Sequence, residues 1–304
     1  MLYRRDFLQG SIGLAAVTLA ARNLFGTVSR AQRIHVGAQT NVWGVPIKPY
    51  EHLLEICESL VKLGYTGFES NYKTLEPQAG NAAQCRKDFA ARHIQYIAPF
   101  CGVTLFNRAK HAEEIDKLTN VAGYSAEMGA TYMIVSAGRL PHSNGQLDYD
   151  AARAMAEGLN KLAVACKKQG LKLCYHNHVQ EFEDQPSEMS ILLKETDPKT
   201  VWFNYDVGNA YGVGPDAADF SQENFQRIAI YHIKDAIPTE KGRSVDVDLG
   251  VGKINLKGVV APVLNSNWEG WLTVEREGHW PNPSANPEQL LSQSRNYLKQ
   301  ITGV

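Results

Sequence analysis

The chain has 304 residues, 44% hydrophobic and 21% charged, and a formal net charge of −1. This is ordinary globular composition with enough apolar mass for a large core, and its length fits two small domains or one barrel of roughly 250 residues. It carries no run of lysine or arginine, which excludes the electrostatic footprint of a nucleic-acid binder. The five cysteines are odd in number and form no C-x-x-C pair, so they read as small buried hydrophobes and not as a disulfide framework or a zinc site.

The N-terminus stands apart. YRRDFLQG (Tyr3–Gly10) pairs two arginines, SIGLAAVTLAA (Ser11–Ala21) is short and apolar, and Ser29-Arg30-Ala31 offers small residues before a cut. The segment 1–31 resembles a twin-arginine export signal, which implies a periplasmic or otherwise exported protein and the twin-arginine export machinery as a partner. Its apolar run is short for a membrane span. Residues 1–31 hold four arginines against one aspartate, so residues 32–304 carry a net charge of −4, unfavourable for DNA or anionic lipid.

From residue 32 the pattern alternates. IHVGAQT (Ile34–Thr40) is a first strand, and Leu53, Ile56, Cys57, Leu60 and Val61 fall at helical spacing before Gly64. TGFES (Thr66–Ser70) and YIAPFCG (Tyr96–Gly102) are strands, Ala112–Gly129 is a helix, and YMIVSAG (Tyr132–Gly138) is an apolar strand. A helix over Ala151–Gln169 stops at Gly170. The strand LKLCYHNH, then VWFNYDVGNA (Val201–Ala210), IAIYHIKDA (Ile228–Ala236) and GWLTVERE (Gly270–Glu277) follow, with a last helix over Pro287–Ile301. The strands are short, apolar and not alternating, as expected when both faces are covered. Eight β/α units in one chain without a composition break predict a single (β/α)8 barrel spanning 32–304. There is no GxGxxG after a strand, no P-loop and no GxSxG, and Gly250 and Gly252 of DLGVGKIN lack the context of a phosphate loop.

Polar chemistry collects at strand ends: Glu69 on the second strand, Arg139 after the fourth, His176, Asn177, His178 and Glu181 after the fifth, and Asp206 and Asn209 after the sixth. His232, Lys234 and Asp235 follow on the seventh, and Glu275, Arg276 and Glu277 on the eighth. In a barrel these ends face one mouth. Carboxylates packed there repel unless a cation neutralises them, and carboxylates with imidazoles suit manganese, cobalt, zinc or iron better than calcium. Each residue alone has a plainer reading: Asp206 as a helix cap, His232 as a bonded core histidine, Glu69 and Arg139 as one salt bridge across the mouth. Trp43, Trp271 and Trp280 fit a sugar face or core filling equally well.

GYTGFES, YHNHVQEF, FNYDVGNA, YHIKDA and GWLTVERE together resemble the xylose-isomerase-like TIM-barrel superfamily, in its sugar phosphate isomerase/epimerase branch. The resemblance implies a divalent metal held by successive strand ends. Asp206, His232 and Glu275 match the aspartate, histidine and last glutamate of that pattern, and His176 stands where its first glutamate would be. The implied ligands are His176, Asp206, His232 and Glu275, with Glu275 as catalytic base and Glu181 or His178 as the second proton-transfer group. His178, Asn209, Lys234, Glu69 and Arg139 are the substrate-binding set.

The implied activity is a metal-dependent sugar isomerase or epimerase that removes a proton α to a carbonyl and passes through an enediolate. A metal-dependent lyase or dehydratase acting on a keto-sugar, keto-glycoside or inosose shares that first step, and the histidine in place of the first glutamate leaves it open. A periplasmic barrel that binds sugar without catalysis, and a nuclease on the same fold, are the rival classes. The expected partner is a small sugar-like molecule, with no nucleic acid; a homo-oligomer is compatible with the sequence.

Overall fold

A computed structural model describes residues 29, 33–239, 244–276 and 286–304. The expected export signal, Ser29 apart, lies outside the described residues, as do Glu277 and Trp280. Among the described residues no helix is long and apolar enough to cross a membrane.

Eight strands close into one parallel barrel: β1 (Ile34–Gln39), β2 (Gly67–Asn71), β3 (Gln95–Val103), β4 (Tyr132–Ala137), β5 (Lys172–His176), β6 (Val201–Asp206), β7 (Ile228–Ile233) and β8 (Gly270–Val274). Each pairs with its neighbours in sequence, and β8 closes on β1 through the register Ile34 to Gly270 and Ala38 to Val274. Eight longer helices follow the strands in turn: α1 (Tyr50–Lys62), α2 (Ala82–Ala91), α3 (His111–Glu127), α4 (Tyr149–Lys168), α5 (Glu188–Glu195), α6 (Ala217–Asn224), α7 (Leu256–Leu264) and α8 (Pro287–Thr302). The alternation expected from the sequence is therefore complete.

Local chemistry explains the helix ends. Asp148 caps α4 by accepting from the amides of Asp150 and Ala151, and Lys167 and Lys168 lie in its last turn, where the helix dipole favours cations. Gly170 then leaves the helix at a φ of +83°, which a side chain would resist.

The core has two parts. Between strands and helices lies a continuous apolar shell that includes Leu53, Phe68, Phe89, Leu159 and Val259. Inside the barrel, Ile97, Tyr132, Ile134, Cys174, Ile230 and Trp271 form a second cluster. Trp271 is thus core, its ring tilted against the His35 ring at 5.0 Å, and is not part of a sugar face. A Cβ on Gly67 would stand 2.5 Å from the Trp271 ring, so the small residue there is what admits the indole. The five cysteines are buried and free.

Two short hairpins rise from loops that follow strands: His142–Ser143 with Gln146–Leu147 after β4, and Asp235–Pro238 with Ser244–Val247 after β7. The second is tied down at both ends. Asp235 accepts the amides of Ala236, Gly250, Gly252 and Ile254 at 2.9–3.2 Å, and buried Arg276 binds the Val247 carbonyl and Asp248. The glycine-rich DLGVGKIN loop therefore does wrap an anion, but the anion is the chain's own Asp235.

Candidate metal centre at the barrel mouth

Strand register brings distant residues level. Asp206 at the end of β6 pairs with His232 on β7, His232 lies opposite Thr273 two residues before Glu275, and His176 on β5 lies opposite Asn204. One ligating atom from each of His176, Asp206, His232 and Glu275 falls within 4.8 Å of the others, and all four residues are buried. The structure thus brings together the four residues that the family resemblance implied as ligands.

The cluster is held by its own cations. Nδ1 of His232 lies 2.7 Å from Glu275 and 4.0 Å from Asp206, and Nε2 lies 2.8 Å from Glu69. Lys234, itself buried, places Nζ 3.1 Å from Asp206 and 3.4 Å from Glu275. Burial alone would lower the His232 pKa, but the Glu69 and Glu275 carboxylates raise it to about 10. Burial would raise Glu275, yet Lys234 and His232 hold it well below the usual carboxylate range. Asp206 is pushed up to about 7 by burial, with Lys234 opposing and Glu275 reinforcing the shift. His176 is driven well below the usual imidazole range by burial and by the neighbouring His232, so it is neutral, as a ligand must be.

The donor set fits a divalent ion. Two imidazoles and two carboxylates form a nitrogen/oxygen set suited to a transition metal. Nδ1 of His176 is buried with no hydrogen-bond partner, a cost of about 1–3 kcal/mol that a coordinated ion would remove. Lys234 and, until an ion takes the Nδ1 lone pair and displaces its proton, His232 stand as cations beside the paired carboxylates.

The other expected site residues divide. His178 is half-buried, with its ring 4.8 Å from that of His176, so it borders the cluster. Asn209 gives its amide to Asp206, which caps the single turn Val207–Ala210 while its second oxygen faces Lys234. The helix-cap and metal-ligand readings of Asp206 are therefore compatible, one on each oxygen.

Glu69 and Arg139 do not meet. Glu69 is fully buried against His232, whereas Arg139 is exposed and pairs with Glu183 at 2.6 Å. The expected salt bridge across the mouth is absent because β2 delivers Glu69 into the barrel and the loop after β4 carries Arg139 outward. Glu181 does not stand open as a base either. Its Oε1 accepts from the Tyr175 hydroxyl at 2.9 Å and its Oε2 from the His178 amide at 2.8 Å, so both oxygens are taken. Tyr175 also contacts Glu188, at 3.1 Å, a buried partner that sequence reasoning missed because Glu188 reads as an ordinary first-turn helix residue.

Comparison with known proteins agrees with the barrel fold. The profile of the family described as "xylose isomerase-like TIM barrel" matches residues 57–301. An inosose dehydratase of Geobacillus kaustophilus is 25% identical over 239 residues, covering 68% of this chain and 75% of the relative. An inosose dehydratase of Clostridium perfringens is 30% identical over 174 residues, 52% of this chain. The match spans only 57% of that clostridial relative's length. Among solved structures, the IolI protein with a zinc atom superposes with a TM-score of 0.70 at 16% identity, covering 89% of this chain and 98% of that one. At that identity the superposition shows the fold.

Proposed function

The chain belongs to the xylose isomerase-like TIM barrel family, and on that premise we propose that it is a metal-dependent lyase that dehydrates a cyclic or open-chain polyol bearing a ketone. The observation that carries the reading is the buried His176–Asp206–His232–Glu275 cluster at the strand ends. The inosose dehydratases among its relatives support elimination over isomerisation, so the isomerase or epimerase expected first from the sequence gives way to the dehydratase alternative. Replacement of the expected first glutamate by His176 points the same way, because it removes one of the two carboxylates that a symmetric epimerisation uses.

His176, Asp206, His232 and Glu275 would hold the divalent ion. Bound there, it supplies a Lewis acid for the substrate's carbonyl and neighbouring hydroxyl oxygens. Glu275, kept ionised by Lys234 and His232, takes the proton from the carbon α to the carbonyl. The electron pair of that C–H bond becomes the new carbon–carbon double bond. The bond from the β-carbon to its hydroxyl breaks, and the hydroxyl leaves as water after accepting a proton. His178, beside His176, and the Lys234 ammonium, beside Glu275, would be the donors for that step. Burial of all four residues keeps bulk water from competing for the proton.

The test is turnover of an inosose by the zinc-, manganese- or cobalt-loaded protein in D2O. Loss of the β-hydroxyl, with deuterium entering the α-position of recovered substrate, is the expected result. Stereochemical inversion without water loss would return the protein to the epimerases, and neither change with any keto-polyol would leave a binding barrel.

A further inference from the structure

The buried Glu69 has a role that follows from how protons must be shared on the His232 ring. A neutral imidazole carries one proton on two nitrogens. Nδ1 of His232 faces Asp206 and Glu275, the carboxylates of the metal cluster, whereas Nε2 points away from them at Glu69, 2.8 Å distant. An ion held with Asp206 and Glu275 therefore takes the Nδ1 lone pair, and the ring proton is forced onto Nε2. A hydrogen-bond acceptor is then called for at that position, and the Glu69 carboxylate is there.

We propose that Glu69 is the positioning residue of the centre: it accepts the Nε2 proton of His232 and so fixes both the tautomer and the angle at which Nδ1 is presented. The assignment rests on the metal reading of the cluster. It takes the place of the substrate-binding role expected from the sequence, since the buried side chain directs Oε2 at His232 Nε2. Asn204 belongs to the same arrangement. Its amide stands 2.9 Å from Nε2, and its Oδ1 is buried without a partner.

The fold builds Glu69 into place. Phe68 is anchored in the outer shell, 5.0 Å from the Phe89 ring of α2 and 5.2 Å from Tyr96, so the next side chain must point into the barrel. The β2–β3 register slips between Phe68 and Glu69, leaving Ile97 as the extra residue, a bulge of the kind that re-aims a side chain beside a site. In carboxylate–histidine–metal arrangements the outer carboxylate raises the basicity of the ligand, and its loss costs about 10–100-fold in metal affinity.

The experiment is zinc titration of the full chain against a competing chelator, paired with ¹⁵N NMR of histidine-labelled, zinc-loaded protein. The expected result is His232 protonated at Nε2 and ligated at Nδ1, a zinc affinity about 10–100-fold lower in Glu69→Ala, and recovery of most of that loss in Glu69→Gln, whose amide oxygen still accepts. A folded Glu69→Ala that binds zinc as tightly as wild type overturns the assignment, as does zinc on Nε2. Should Glu69→Ala not fold, the wild-type tautomer decides: a proton on Nε2 supports the assignment and zinc on Nε2 overturns it. Wild-type protein that takes up no zinc overturns the underlying metal reading, and this assignment with it, a result distinct from a variant that binds normally.

Discussion

Two buried carboxylate clusters lie within a few residues of each other along β5, and they handle their charge in opposite ways. At the barrel mouth Asp206, Glu275 and Glu69 are balanced by cations, the Lys234 ammonium and the His232 imidazolium, and His176 Nδ1 is left without a bond. Behind β5, Glu181 and Glu188 converge on one Tyr175 hydroxyl, and among the described residues neither forms an ion pair with a cation. That hydroxyl has a single proton to give, so one carboxyl must be protonated and donate to it. Burial pushes Glu181 up to about 7, and burial with the neighbouring Glu181 pushes Glu188 up to about 8. The second cluster is complete with a proton. The first keeps an orphaned ligand atom, His176 Nδ1, beside its ion pairs, and the proposed metal would engage it. Buried carboxylates alone do not mark a functional site; buried carboxylates that the fold leaves unfinished do.

Changes in each cluster can break this contrast. The largest effect is expected at Glu275. Glu275→Gln removes the proposed base, and general acid/base steps contribute roughly 10²–10⁴-fold, so α-proton exchange at saturating metal should fall by at least about 100-fold. A loss below about tenfold would move the base elsewhere.

The proton held behind β5 should appear in stability. A carboxyl whose folded pKa lies above its unfolded value binds more protons in the folded state between the two. Stability contributed by the pair should therefore be greatest below the ordinary glutamate range and fall as pH rises to about 8, with a slope of up to about 1.4 kcal/mol per pH unit for each retained proton. Glu188→Gln, whose amide donates to the tyrosine hydroxyl without titrating, should flatten that slope in denaturant unfolding between pH 6 and 8. An unchanged slope would mean that no proton is stored there.

The smallest effect belongs to Arg139. Its exposed ion pair with Glu183 is worth about 0–1 kcal/mol, so Arg139→Ala should leave stability nearly unchanged and turnover within about twofold. A rise in KM beyond tenfold would restore the substrate contact that the sequence pointed to.

Much of the scaffold was legible in the chain because both faces of each barrel strand are buried and read as apolar runs. The strand ends were legible too, since a polar residue closing an apolar strand is visible by contrast, as with Asp206 after VWFNY and His232 in IAIYHI. What escaped was set by tertiary packing. LKGVVAPVL, with β-branched valines and Pro262, lacks a helical signature, yet it forms α7 against the barrel with Asn255 as its cap. The short helices α2, α5 and α6 span only eight to ten residues and show weak periodicity. Glu69, Glu181 and Arg139 were visible as residues but not as contacts, because which partner a strand-end side chain meets depends on register and loop path. The β2–β3 bulge and the rise of the β4 loop leave no local trace.

The account rests on the mouth cluster needing an ion and the β5 cluster not needing one. Metal content measured side by side in wild type, Asp206→Ala and Glu181→Gln, each purified and loaded with the same zinc excess, tests this directly. The account predicts one tightly bound ion per chain in wild type and Glu181→Gln, and none in Asp206→Ala. Retention of the ion in Asp206→Ala, or its absence from wild type, would contradict it.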